Sequence, residues 1–361
     1  MARTVIPFGP QHPVLPEPIH LKLVVEDEIV QEAIPALGYV HRGLEMLAQK
    51  RDFHQMVQVV ERICGICSMI HSLCYCQGIE EMMGIEVPRR ARLLRTLWSE
   101  LHRSHSHLLW LGLFADSFGF ESLFMQLWRI RERILDLNEA TAGNRVIVSV
   151  NVIGGVRAEI SEEQQRWILG EMAGFERDMN RIRSTLLEDY TVKSRTVGKG
   201  VLTREMAYEL GAAGPVLRGS GIAQDMRQLG YAAYGDLDFE PVVEAAGDAY
   251  ARCKVRFGEV MQSIRLVRQI LGELAKETDP ALAAKVKGRP EGEVVCRVEQ
   301  PRGECLYYLK GSGKPQLDRV RVRTPTFANV PPLLAMLPGV ELADVPVLVL
   351  SIDPCISCTE R

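Results

Sequence analysis

Cys64 and Cys67 lie in Glu61-Arg-Ile-Cys-Gly-Ile-Cys-Ser68, and Cys355 and Cys358 lie in Asp353-Pro-Cys-Ile-Ser-Cys-Thr-Glu-Arg361. Thiolates are soft ligands, and two Cys-x-x-Cys pairs brought together offer four of them to one or two soft metal ions. Spacing alone leaves three readings: a structural zinc site, an iron–sulfur cluster, or two unrelated pairs. Zinc modules gather their ligands within a few tens of residues, because a small module needs the metal to fold. Nearly three hundred residues separate these pairs, which weakens the zinc reading. Cys74, Cys76, Cys253, Cys296 and Cys305 read as small buried apolar residues. His105 and His107 read first as core histidines, with metal ligation as the alternative.

On a helix, Cys67 falls about 60° and His71 about 20° around the axis from Cys64, so all three share a face. If that helix starts at Cys64, its free N–H groups lower the thiol pKa and favour ligation. At the other end, Pro354 fixes the approach to Cys355, and Asp353 places a carboxylate beside the sulfurs. A metal joining the pairs would close most of the chain into one loop, coupling metal capture to folding.

The elements that must carry these pairs are mostly helical. Ile19–Val25 and Ile29–Ile34 alternate around Glu26-Asp27-Glu28, which predicts an antiparallel hairpin. Apolar residues at helical spacing predict helices over 42–83, 89–115, 123–140, 162–187 and 241–276, with Leu93, Leu94, Leu97, Leu101, His105 and Leu108 on one stripe. Residues 294–309 and 319–322 read as short strands, and 347–352 as the apolar run that delivers the last cysteines. The expected fold is α-rich (α+β), a helical bundle with an N-terminal β-hairpin and small β decorations. It is expected to form a single domain over 1–361, with a β-rich segment at 1–40, a helical body at 41–290 and a β/helix segment at 291–361.

Composition excludes several classes. The net charge is -3 with both signs interleaved, which gives no footprint for nucleic acid and no polybasic membrane anchor. Pro7, Pro10, Pro13, Pro16 and Pro18 break any signal-peptide helix, and no apolar run reaches the roughly 18 residues of a membrane span. The expectation is a cytoplasmic chain, soluble by itself. Nine cysteines without an export signal favour thiolate ligation over a disulfide framework. With 361 residues and 47% hydrophobic content, the chain needs no staple to fold.

The words around the cysteines go further. Arg62-Ile-Cys-Gly-Ile-Cys-x-x-x-His71, with Asp353-Pro-Cys-Ile-Ser-Cys-Thr-Glu-Arg361, resembles both signature sites of the large subunit of nickel–iron hydrogenases. Residues 6–18, Gly38-Tyr-Val-His-Arg-Gly-Leu-Glu45, Ser106-His-Leu-Leu109, Gly143-Asn-Arg145, Gly154-Gly-Val-Arg157 and Pro301-Arg-Gly-Glu304 are similar to one branch, the membrane-bound, energy-converting (Ech-type) hydrogenases. That branch is related to the catalytic 49 kDa-type subunit of complex I, and the resemblance covers essentially the whole chain.

The resemblance implies a nickel ion and an iron carrying carbonyl and cyanide, with Cys64 and Cys355 on nickel alone and Cys67 and Cys358 bridging. It implies that His71 hydrogen-bonds near a bridging sulfur, that Arg302 overhangs the open position and that Asp353 orients Arg302. It further implies that Cys355 first accepts the proton and that Glu17 relays it, where the residue-level alternative is a solvated loop carboxylate. Arg361 stands where many large subunits carry a histidine, which puts in question the magnesium site that histidine helps to build. Glu45 is its candidate ligand, beside a packing reading. No second cluster spacing occurs, so electrons must leave through partners. The implied partners are a small subunit with a 4Fe-4S cluster, a ferredoxin-like cluster subunit and integral membrane ion-translocating subunits, with ferredoxin as electron donor. The chain would then sit peripherally on the cytoplasmic face of the membrane. A quinone-reducing subunit of the complex I type is the alternative enzyme, and the two complete cysteine pairs argue against it; a zinc scaffold is the non-enzymatic alternative.

Overall fold

The computed structural model describes residues 3–361. Three antiparallel strands open it, in the order β1 (Thr4–Phe8), β2 (His20–Glu26), β3 (Ile29–Ala36). Alternation buries Leu21, Leu23 and Val25 on one face of β2. Asp27 and Glu28 both adopt positive φ, the backbone of a two-residue hairpin turn. The sequence predicted only the β2–β3 hairpin; β1 was hidden by Pro7, which an edge strand tolerates because its outer N–H groups need no partner.

The helix expected over 42–83 is three helices, α1 (Leu44–Leu47), α2 (Phe53–Glu61) and α3 (Ser68–Met83). Asp52 caps α2 by accepting the His54 N–H, and residues 62–67 form a turn between α2 and α3. Next come α4 (Arg89–Asp116) and α5 (Glu121–Ala142), close to expectation. From Ala91 to Ala115 α4 is buried on nearly every face, with α3, α5 and later helices packed around it. A helix buried all round is ordinarily apolar, yet α4 carries Arg95, Glu100, His102, Arg103, His105 and His107 into the interior.

A short hairpin, β4 (Asn151–Val152) and β5 (Gly155–Val156), precedes α6 (Glu162–Leu187), α7 (Tyr190–Thr196), α8 (Arg204–Glu209) and α9 (Pro215–Arg218). The helix expected from residue 241 begins at Ala249: α10 (Ala249–Leu274) starts where the Asp248 carboxylate accepts the Ala251 N–H. A second antiparallel sheet follows, β6 (Glu291–Gln300), β7 (Gly303–Ser312) and β8 (Arg319–Arg323), and it packs on α3. The single strand pattern over 294–309 is therefore a hairpin whose turn is Pro301-Arg302. Gly303 permits that turn: its φ is +130°, and a Cβ there would lie 2.5 Å from the Gly214 nitrogen. Two backbones thus abut and hold Arg302 in place. The chain ends in α11 (Pro325–Met336), α12 (Val345–Ser351) and α13 (Ile356–Glu360). The architecture is α-rich with small sheets, as the sequence implied.

Candidate metal centre

Both Cys-x-x-Cys pairs meet in the interior. The Sγ atoms of Cys64, Cys67, Cys355 and Cys358 all lie within 4.8 Å of one another, and all four residues are buried. The Cys64 and Cys355 sulfurs are 3.3 Å apart, and those of Cys67 and Cys358 are 3.2 Å apart.

The first pair is not on a helix. Cys67 is the N-cap of α3, so Cys64 lies in the preceding turn and its sulfur receives the Ile66 N–H at 3.3 Å. Donors do reach the thiol, but from the turn. The second pair enters from α12. Asp353 adopts φ +56°, a left-handed conformation that aspartate tolerates better than most residues, and its N–H donates to the Leu350 carbonyl. This reversal, followed by Pro354, swings Cys355 inward, where its N–H donates to Thr326 Oγ1.

One side chain that the sequence reading did not single out ties the two loops together. Arg42 donates to the carbonyls of Arg62 and Ile63, just before Cys64, and to the carbonyl of Ser357, between Cys355 and Cys358. Its only signal was membership of the Gly38–Glu45 word. The Glu360 carboxylate adds a second tie by accepting the N–H groups of Gly38 and Val40.

Around the sulfurs, Arg302 Nη2 pairs with Asp353 Oδ1 at 2.7 Å, its Nε donates to the Asp353 carbonyl, and its Nη1 donates to Ser106 Oγ. Burial alone would disfavour the guanidinium charge, but Asp353 and the cysteine sulfurs outweigh it and hold the Arg302 pKa well above its ordinary value. His71 Nε2 lies 3.3 Å from Cys358 Sγ and 3.1 Å from the Gln300 side-chain nitrogen, while Nδ1 lies 2.7 Å from the Tyr307 hydroxyl. Glu17 is half-buried and not a solvated loop carboxylate. It accepts the Ser357 N–H and hydroxyl, and Cys355 Sγ lies 3.9 Å from its Oε1. Burial, and then the Cys64 charge, raise its pKa against the pull of Ser357 and Arg302.

A cavity of about 80 Å³ opens beside this group, lined by Leu109, Trp110, Leu113 and Leu350 and by the polar groups of Glu17, Arg302 and Asp353. It is large enough for a small molecule such as hydrogen and mostly too apolar for a charged substrate.

The donor set fits a soft redox metal centre. Hydrogen bonds from Cys355, Cys358 and Cys67 hold the Cys64 pKa well below the thiol value, whereas burial pushes Cys67 and Cys358 well above it. Four thiolates this close repel one another, and a cation among them removes that repulsion. Glu45 does not fit a magnesium site. Its carboxylate is taken by the guanidinium groups of Arg321 and Arg361 and by the Val322 N–H, so its acceptor positions are filled by cations the chain supplies. His105 and His107 are core residues, hydrogen-bonded to Arg131 and Glu259, and the remaining five cysteines are buried. No other group of cysteine, histidine or carboxylate ligands among the described residues has metal-binding geometry.

Comparison with known proteins agrees with this geometry. Residues 42–113 match the model of the nickel-dependent hydrogenases, and residues 117–289 and 280–361 match that of the 49 kDa subunit of respiratory-chain NADH dehydrogenase. The chain is similar to the membrane-bound hydrogenase subunit alpha of Pyrococcus furiosus, at 40% identity over 99% of this chain and 87% of that protein. It is 39% identical to the carbon monoxide-induced hydrogenase of Rhodospirillum rubrum over the full length of both. In three dimensions it matches a chain of the archaeal membrane-bound sulfane sulfur reductase, with TM-score 0.94, 31% identity and coverage of 99% and 98% of the two chains. The chain therefore belongs to the family of nickel–iron hydrogenase large subunits and complex I 49 kDa subunits, in its Ech-type energy-converting hydrogenase branch.

Proposed function

We propose that this chain is the catalytic subunit of a nickel–iron hydrogenase that splits and forms hydrogen reversibly. The observation that carries the reading is the buried quartet of sulfurs within 4.8 Å, faced by Arg302 and a small apolar cavity. Complex I-type relatives share the fold, so the fold favours neither reading; the complete quartet supports the hydrogenase. Cys64, Cys67, Cys355 and Cys358 would hold the centre through their four sulfurs. A nickel–iron centre, with carbonyl and cyanide on the iron, supplies redox-active metals and an open position for hydrogen.

The chain's own groups handle the charge and the proton. Arg302 fixes a positive charge at the cavity wall, where it favours charge separation in hydrogen, and Asp353 holds it there. The Cys355 thiolate accepts the proton and passes it to Glu17, whose raised pKa suits a group that must both take and release it. Glu17 lines the cavity on one side and a surface groove of residues 10–18 on the other, which gives the proton an exit. His71 lies in hydrogen-bond reach of Cys358 and steadies that sulfur.

Electrons leave through partners, since the described residues bring together one cysteine group of metal-ligating geometry. A small subunit with a 4Fe-4S cluster, a ferredoxin-like subunit and ferredoxin as donor fit this need. No helix among the described residues is long and apolar enough to cross a membrane, so membrane ion-translocating subunits would hold the chain peripherally, on the cytoplasmic face. Infrared spectroscopy with elemental analysis of the purified complex tests the reading. Metal-bound carbonyl and cyanide bands with nickel near one per chain are expected. Zinc, or no metal and no such bands in a matured preparation, overturns it in favour of a scaffold or a quinone-type subunit.

A further inference from the structure

Gln300 and Tyr307 carry polar groups where the pattern of their strands calls for apolar ones. β6 and β7 pair without a break from Glu291 opposite Ser312 to Gln300 opposite Gly303. Alternation turns Val294, Cys296 and Val298 of β6, and Cys305 and Leu309 of β7, toward α3. Gln300 and Tyr307 continue the same two rows, and both are fully buried. A phenylalanine would fill the place of Tyr307 with no hydroxyl to satisfy, and a leucine that of Gln300 with no amide. A polar group at this depth costs stability unless it finds a partner.

Both find the same partner. The Tyr307 hydroxyl lies 2.7 Å from His71 Nδ1, the one hydrogen-bond partner it has among the described residues. Gln300 Nε2 lies 3.1 Å from His71 Nε2, the nitrogen that also faces Cys358 Sγ at 3.3 Å. The rings of His71 and Tyr307 meet edge-on, with centroids 6.0 Å apart. An imidazole met at both nitrogens has one orientation left to it. Gln300 keeps its place there although its Oε1 is buried with no partner, a cost that leucine would avoid. The hairpin is itself braced, because Arg103 of α4 donates to the carbonyls of Glu299 and Gln300 at 2.8 and 3.2 Å. The turn after Gln300 carries Arg302 to the cavity wall. One hairpin thus presents Arg302 on the cavity side of the sulfurs and both partners of His71 on the α3 side.

We propose that Tyr307 and Gln300 are positioning residues that lock the His71 ring against Cys358, so that the β6–β7 hairpin sets how firmly the cysteine quartet holds its metal. That the metal includes nickel rests on the hydrogenase reading above; the lock on His71 does not.

A double-mutant cycle on the purified complex tests the lock. Nickel per chain after chelator challenge should fall on the order of tenfold in Tyr307→Phe and in Gln300→Leu, and the infrared band of metal-bound carbonyl should move. Tyr308→Phe makes the same change on the outward face of β7, where the hydroxyl bonds to Glu293, and should alter neither. In a His71→Leu background, Tyr307→Phe should cause no further loss of nickel, because the hydroxyl then has no partner to lose. The melting temperature supplies a reading that needs no nickel: Tyr307→Phe should lower it with His71 present and not in the His71→Leu background. Equal effects of Tyr307→Phe with and without His71, or unchanged nickel retention in Tyr307→Phe, overturn the proposal. Should His71→Leu not fold, the carbonyl band decides, and a band that Tyr307→Phe leaves in place overturns it. Missing carbonyl and cyanide bands in every variant, beside intact coupling in the melting temperature, would sink the hydrogenase reading alone.

Discussion

Two groups of acidic side chains lie buried in this molecule, and they are compensated in opposite ways. Around Arg218 the chain brings the guanidinium groups of Arg103, Arg218 and Arg227 to the buried carboxylates of Glu100, Asp225, Glu259 and Glu299, so the charges nearly balance within the fold. Around Cys64 four thiols crowd together, with Arg302 the cation poised over them. Glu45 repeats the first arrangement on a small scale, with Arg321 and Arg361 on one carboxylate. A cluster that carries its own cations has no need of a metal, whereas one that gathers anionic ligands without them is prepared to receive one.

The contrast can be broken most severely at the sulfurs. Cys355→Ser is expected to remove nickel and hydrogen turnover altogether while the purified chain keeps its helical circular dichroism; retained nickel would break the contrast. Glu17→Gln should cut turnover by about 10²- to 10⁴-fold, with nickel content and the infrared bands unchanged. Wild-type activity in that variant would remove Glu17 from the proton path. Arg42→Ala should weaken metal retention by about 10- to 100-fold, measured as nickel per chain after chelator challenge, because both cysteine loops lose their common tie.

On the self-compensated side the expected effect is one of pH. A free glutamate loses its proton near 4.5, whereas Glu299 in the fold keeps it to about 7. Between those values the native state binds the extra proton at this site, so the Glu299 contribution to stability falls as pH rises, by about 1.4 kcal/mol per unit, against the rising contribution of His102, His105 and His107, whose pKa values burial lowers. The difference in denaturant midpoint between the native protein and Glu299→Gln should carry that slope across the window, and a difference that does not change with pH would remove it. The smallest effect sharpens the contrast from the other direction: added magnesium should leave the melting temperature unchanged, since guanidinium groups already fill Glu45.

Much of the bundle was legible in the sequence. The 3.6-residue period marked α4, α5 and α6 closely because each is long and strongly patterned. The break between α2 and α3 was not legible, since apolar spacing runs through Ile63 and Ile66 although the backbone turns there. Candidate ligands stood out because thiols in pairs are rare and soft. The Arg218 cluster gave no such signal. On α4, Glu100 and Arg103 look like an exposed polar face, and only contacts with residues more than a hundred positions away reveal that they are interior. Arg42 was hidden for a related reason, because its partners are main-chain carbonyls and no residue type announces those.

That last point bears on how this site tolerates change. Arg42 grips the carbonyls of Arg62, Ile63 and Ser357, which every substitution at those three positions retains. The exposed side chain at position 62 is therefore free to drift in composition, so long as the loops keep their path, while the arginine that reads the path is not; Ile63 is held by the core and the Ser357 hydroxyl by Glu17. A library randomised at 62 should yield many metal-retaining variants, and one randomised at 42 very few.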